Sequence, residues 1–256
     1  MKKLLLTLFS LIIILGAFYF FWFTPRYTVP ILVYHSIGYG EGGFFVKPEN
    51  FIKQMAFIKK NGYEVITLDE LVRSIKDKKS FKRNKIVITI DDGYKDNFQY
   101  AYPVLKKFGF PATIFLVTDY IGKGFLNWDE VIAMSKDNIA FGGHTKTHFY
   151  LGVVKDEKAA FEEIAGSKKA IEEKIGLPVD YFCYPSGGFN EKAKKLVMQA
   201  GYKGACTTNR GFAKFNRDVY ELKRIKVTNS DTNKLFSFWA KLSGYYNILR
   251  REKRGY

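Results

Sequence analysis

The chain predicts an α/β protein built around a parallel sheet, and three observations carry that reading. Short apolar strands alternate with amphipathic helical stretches about seven times. Hydrophobic residues make up 47% of the 256 and aromatic residues 17%, which fills a core and excludes a disordered chain. No G-x-G-x-x-G or G-K-S loop follows the first strand, so dinucleotide-binding and P-loop versions lose support. A barrel and a doubly wound sheet both remain. In either one the chemistry sits where strands end on their carboxyl side.

The N-terminus precedes that pattern. Lys2 and Lys3 lead into an uncharged run from Leu4 to Phe23, about twenty residues, the length that crosses the hydrocarbon core of a bilayer. A cleaved signal peptide would have a shorter apolar region and a small-x-small end. This run ends in "FYFFWF" and reads as an uncleaved anchor, residues 1–26. Lysines before the span favour a cytoplasmic N-terminus, although Arg26 on the far side weakens the bias. The expectation is a single-pass protein of the cell membrane with an extracellular domain, residues 27–256. Trp22 and Tyr27 suit the outer interface.

From there the elements follow in order. "ILVY" is a strand ending at His35, and "GYGEGGFFVKP" is a Gly-rich loop. "PENFIKQMAFIKKNG" carries a helical apolar stripe stopped by Asn61-Gly62. "YEVITL" is a strand, and "DELVRSIKD" a helix with Asp69 near its cap. The strand "KIVITI" leads to the helix "NFQYAYPVLKKFG", the strand "PATIFLVT" to the helix "NWDEVIAMSK". "NIAFGG" is a short strand before a long helix closed by Gly176. "DYFCYP" and "YKGACTT" are strands around the helix "NEKAKKLVMQAG". "YELKRIKV" is the last strand and "DTNKLFSFWAKLSGYY" the closing helix.

The formal net charge is +16, much of it in "KDKKSFKRNK" and in "RREKR" (Arg250 to Arg254). Such runs are usually solvated faces; the functional readings are anionic lipid, anionic wall polymer or nucleic acid. No nucleic-acid motif accompanies the charge, so no nucleic-acid partner is expected. Cys183 and Cys206 are too few for a disulfide framework; buried free thiols are favoured over a pair. The oligomeric state is not assigned.

The strand ends collect the chemistry. His35 follows "ILVY"; Asp91, Asp92 and Gly93 follow "VITI"; "HTKTH" (His144 to His148) follows "IAFGG"; "YPSGG" follows "YFC"; Arg224 lies within "LKRIKV". All three histidines of the chain are in that set. An Asp-Gly pair is also a common turn, and a lone histidine is usually structural. Together they point to a metal site, where a cation offsets adjacent carboxylates. Two imidazoles four residues apart plus one carboxylate leave a coordination position open, as catalytic metal sites do. Side chains alternate along a strand, so the two aspartates face differently and can take different roles.

These motifs resemble those of the polysaccharide deacetylases, carbohydrate esterase family 4, with the NodB-homology domain. "TIDDG" (Thr89 to Gly93) matches the family's first motif, "HTKTH" its second, and "FCYPSGG" (Phe182 to Gly188) is similar to its third; the likeness runs from about Val29 to Val227. The resemblance implies a deformed, incomplete (β/α) barrel and a divalent metal, most often zinc, on Asp92, His144 and His148. It implies Asp91 as general base and hydrolysis of N-acetyl groups from an N-acetylated glycan. The usual C-terminal Leu-x-His motif has no histidine here. The chain is similar instead to a permuted branch that includes poly-N-acetylglucosamine deacetylases, which assigns the acid to His35. Where the third motif commonly has arginine and tyrosine, this chain has Cys183 and Ser186. Arg224 is the candidate to replace that positive charge, and the Ser186 backbone N–H the candidate oxyanion donor. Tyr184, Pro185 and Trp128 are candidates to line a sugar groove; core packing is their bland alternative. The rival functions are an amidase for small N-acyl compounds and a non-catalytic wall-glycan-binding protein.

Overall fold

The computed structural model describes residues 2–23, 27–79, 81, 83–122, 124–208 and 215–246. Arg26 and the basic run Arg250–Arg254 lie outside the described residues. The N-terminal helix α1 (Lys2–Phe18) is continued by a π-helical segment, Tyr19–Phe23. Among the described residues no helix is long and apolar enough to cross a membrane.

The strands β1 (Ile31–Tyr34), β2 (Glu64–Val65), β3 (Lys85–Ile90), β4 (Ala112–Leu116), β5 (Ile139–Gly143), β6 (Tyr181–Cys183), β7 (Gly204–Thr207), β8 (Leu222–Lys223) and β9 (Ile225–Lys226) form one parallel sheet. Its order is β8-β7-β6-β5-β4-β3-β1-β9, with β2 added beside β3. The predicted last strand is thus two short strands split by Arg224. β8 pairs with β7 (Cys206↔Leu222) while β9 pairs with β1 (Leu32↔Ile225), so this one segment touches both ends of the sheet. The result is a nearly closed parallel α/β barrel, and the doubly wound alternative is excluded.

The helices are α2 (Pro48–Lys60), α3 (Leu68–Lys76), α4 (Tyr102–Phe108), α5 (Trp128–Ser135), α6 (Glu157–Ile175), α7 (Glu191–Gln199), α8 (Asn229–Asn233) and α9 (Leu235–Leu242). Pro48 starts α2, where its missing N–H costs nothing. Gly176 ends α6 in the left-handed conformation that glycine adopts without strain. Asp69 lies near the cap of α3, as expected, and the cap itself is Thr67. Thr67 accepts from the Glu70 N–H at 3.0 Å, while Asp69 sits inside the first turn, where its charge suits the helix dipole. The helix predicted from Asn97 begins as a π-helical turn, Asn97–Ala101, before α4.

Strand alternation divides the core in two. Leu32, Tyr34, Ile88, Ile90, Ile114 and Leu116 face outward beneath the helices. Ile31, Val87, Phe115, Cys183, Cys206 and Leu222 form a second cluster with Leu68, Leu71 and Val72 of α3. Each such side chain contributes about 1.5–3 kcal/mol by leaving water. Cys183 and Cys206 are register partners and both are buried free thiols. The inner space is therefore packed, and the candidate site residues gather where the strands end.

Candidate active site

The strand ends surround a cavity of about 530 Å³. His35 from the end of β1, Asp91 and Asp92 after β3, His144 and His148 after β5, Ser186 after β6, and Arg224 between β8 and β9 all line it. Parallel pairing makes this possible, because every strand delivers its following residue to the same rim.

Asp91 and Asp92 stand in different surroundings. Asp91 is buried, and Arg224 grips both its oxygens, each at 2.6 Å. Arg224 also donates to Thr89 Oγ1 at 3.1 Å and to the Thr207 carbonyl at 3.3 Å, which fixes the guanidinium plane. Burial opposes ionisation of Asp91, but the guanidinium overrides it and holds the carboxyl well below the usual carboxylate range. His35 Nε2 lies 3.8 Å from Asp91 Oδ2. Burial pulls His35 below its ordinary pKa against the attraction of Asp91 and Asp92.

Asp92 turns the other way because its φ is +70°, a left-handed value unusual outside glycine. Its Oδ1 lies 3.4 Å from His144 Nε2 and 3.7 Å from His148 Nε2. The three ligand atoms are within 4.8 Å of one another. His144 Nδ1 meets the Cys183 carbonyl at 2.7 Å. A carbonyl only accepts, so Nδ1 carries a hydrogen and Nε2 is the ring atom turned toward Asp92. One carboxylate and two imidazole nitrogens form a donor set suited to a divalent metal. Thr145, His148 and Ser186 also have positive φ (62°, 64° and 54°), so backbone strain concentrates at this rim.

Three candidates from the sequence do not reach the cavity. Tyr184 is fully buried, stacks on Phe189 at 4.5 Å and donates to the Tyr220 carbonyl. Pro185 is buried in the turn that follows it. Trp128 opens α5, packs against the outer core and lies under Lys174. Phe44, Tyr94, Thr208 and Lys226 line the cavity instead. Phe44 packs its ring against His35 at 4.8 Å and under the Lys226 ammonium at 3.9 Å. Behind His35, Asp96 accepts from Ser36 Oγ and from the Ile37 N–H, and Asn97 donates to the His35 carbonyl. The signal for that brace was present: "DDGYKDN" puts Asp96 and Asn97 four and five positions past Asp92.

The polysaccharide deacetylase pattern matches residues 78–205, and the YxkH protein of Bacillus subtilis is 34% identical over 201 residues, covering 78% of this chain and 71% of that one. The chain belongs to the polysaccharide deacetylases. YxkH is itself assigned to them only provisionally. The poly-β-1,6-N-acetyl-D-glucosamine N-deacetylase of Staphylococcus epidermidis is 26% identical, covering 77% of this chain and 72% of that one. The fold is also that of the Streptococcus pyogenes deacetylase PplD, solved with acetate. The TM-score is 0.75 at 24% identity, covering 82% of this chain and 97% of that one.

Proposed function

We propose that this deacetylase hydrolyses N-acetyl groups of an N-acetylglucosamine-containing polysaccharide or oligosaccharide and releases acetate. The observation that carries the reading is the pairing of Asp91, held ionised by Arg224, with the Asp92–His144–His148 cluster beside it. The named activity of the Staphylococcus epidermidis relative supports the choice of sugar.

Asp92, His144 and His148 would hold the divalent metal, with zinc favoured by the nitrogen-rich donor set. When bound, the ion supplies Lewis-acid polarisation of the acetyl carbonyl and lowers the pKa of water. Asp91 takes the proton from the attacking water. Arg224 keeps Asp91 in the ionised form that can accept it. An amine anion is a poor leaving group, so the nitrogen must be protonated as the C–N bond breaks. His35 is the donor. The proton that Asp91 takes from water passes to His35 Nε2, 3.8 Å away, and from His35 to the nitrogen. Ser186 lines the cavity on a strained turn and offers its backbone N–H toward developing negative charge. Phe44 and Tyr94 give the sugar apolar walls.

We also propose that the N-terminal segment anchors the protein in the cell membrane with the catalytic domain outside. The support is the run from Leu4 to Phe23 and the exposure of α1 along its length, with Leu4, Phe9, Ile12 and Ile14 each more than 60% accessible. A helix apolar on every side is stable in lipid or in a core, not in water. Acetate release from acetylated glucosamine oligomers, before and after metal removal, tests the enzymatic reading. Acetate from the loaded protein alone is the expected result; no acetate in either state would overturn it.

A further inference from the structure

Helix α9 buries a lysine on one face and exposes two aromatic rings on the other. Its inner face buries Phe238, Leu242 and Lys241; the Lys241 ammonium is tied to Asp231 and to the Lys226 carbonyl, each at 2.8 Å. Its outer face presents Phe236, 79% exposed, and Trp239, 49% exposed, their rings 5.7 Å apart. A surface helix ordinarily turns lysine to water and aromatics to the core.

The position of this helix is equally specific. The Thr28 N–H and hydroxyl both donate to the Gly244 carbonyl, at 2.9 and 3.2 Å, just past the end of α9. The Tyr27 and Tyr245 rings meet at 5.7 Å. Tyr27 is four peptide steps from Phe23, where the apolar N-terminal run ends, and that connection spans no more than about 15 Å. The exposed aromatic face therefore lies beside the point where the apolar segment enters the domain. Trp and Tyr concentrate where a membrane meets water, and a helix with an apolar outer face settles into the headgroup boundary. The net charge of +16 favours an anionic lipid surface over a second copy of the same cationic chain.

We infer that the Phe236–Trp239 face of α9 docks on the lipid surface beside the N-terminal segment, so that the barrel rests on the membrane by this side. The inference rests on the anchor reading above, and the test separates the two. The full chain is placed in vesicles of phosphatidylcholine and phosphatidylglycerol, with lipids brominated near the glycerol end of the acyl chain as quencher. Three double variants leave one tryptophan each: Trp22→Phe with Trp128→Phe reports Trp239, Trp128→Phe with Trp239→Phe reports Trp22, and Trp22→Phe with Trp239→Phe reports Trp128. Loss of most Trp239 emission, with Trp128 unaffected, is the expected result. Adding Phe236→Ser, an exposed change, should restore much of the Trp239 emission. Quenching of Trp22 without Trp239 would overturn the docking and leave the anchor standing. Quenching of neither would overturn both. Trp239 shielding that depends on protein concentration and not on bromine would assign the face to a second copy and overturn the lipid inference.

Discussion

The two sides of the active-site rim solve the problem of buried charge in opposite ways. On one side Asp91 is matched from within the protein: Arg224 meets both its oxygens, and Thr89 and Thr207 fix Arg224. On the other side Asp92 faces two imidazoles across 3.4 and 3.7 Å, on backbone with left-handed φ at Asp92, Thr145 and His148. The first side is an ion pair complete in itself. The second is a strained set of ligand atoms whose charge is balanced when a cation sits among them. In the proposed function, adjacent residues of one chemical type would take a proton-transfer role and a ligand role from their different surroundings.

The sharpest way to break the first side is Arg224→Met. It leaves the Asp91 charge buried without its partner, which costs about 3–5 kcal/mol. Urea unfolding should show that loss, and acetate release should disappear with it. A stable, active Arg224→Met protein would show that Asp91 does not depend on the guanidinium. Next in size is His35→Ala. It should lower kcat on an acetylated amine by about two to four powers of ten, the range for a lost general acid. Metal content should stay the same, and an activated ester, which needs little protonation, should be affected much less. Equal losses on both substrates, or loss of metal, would make His35 a ligand or a structural residue.

The second side is probed by His148→Ala. Metal affinity, read by equilibrium dialysis, should fall by more than the ~10–100-fold that outer-shell changes cause. Unfolding stability should change little, because His148 is a partly exposed loop residue. A His148 variant with unaltered affinity would move the site elsewhere. The smallest effect concerns pH. The folded-state pKa of Asp91 is depressed, while its unfolded value is about 3.9. Its stabilising contribution is therefore full above the unfolded value and is lost as pH falls through the folded one. The urea midpoint of the wild type should drop more steeply in acid than that of Asp91→Asn. Parallel curves would contradict the depressed pKa.

Much of this was legible before any coordinates. Local pattern gives the alternation of strand and helix, and the predicted strand ends give His35, Asp91, Asp92, His144 and His148 by position, while Arg224 sits inside the predicted last strand. What stayed hidden depends on pairing between distant residues. The split at Arg224 exists because Leu222 and Ile225 pair with strands on opposite sides of the closure, one of them nearly two hundred residues away in sequence, and no local pattern encodes that. It is also what sets Arg224 against Asp91. Tyr184 carries its ring inside a functional motif yet lies under the rim, and Trp128 lies on the outer core; place in the sequence does not fix direction. Phe44 and Lys226 reach the cavity from a glycine-rich loop and the closing strand, which only the closed barrel brings together.

The central claim is the division of labour between neighbouring aspartates, and one paired measurement tests it. Metal content and acetate release from acetylated glucosamine oligomers are measured on Asp91→Asn and Asp92→Asn side by side. The account predicts that Asp91→Asn keeps its metal and releases almost no acetate, while Asp92→Asn loses both. Metal lost from Asp91→Asn, or acetate released by Asp92→Asn without metal, would contradict it.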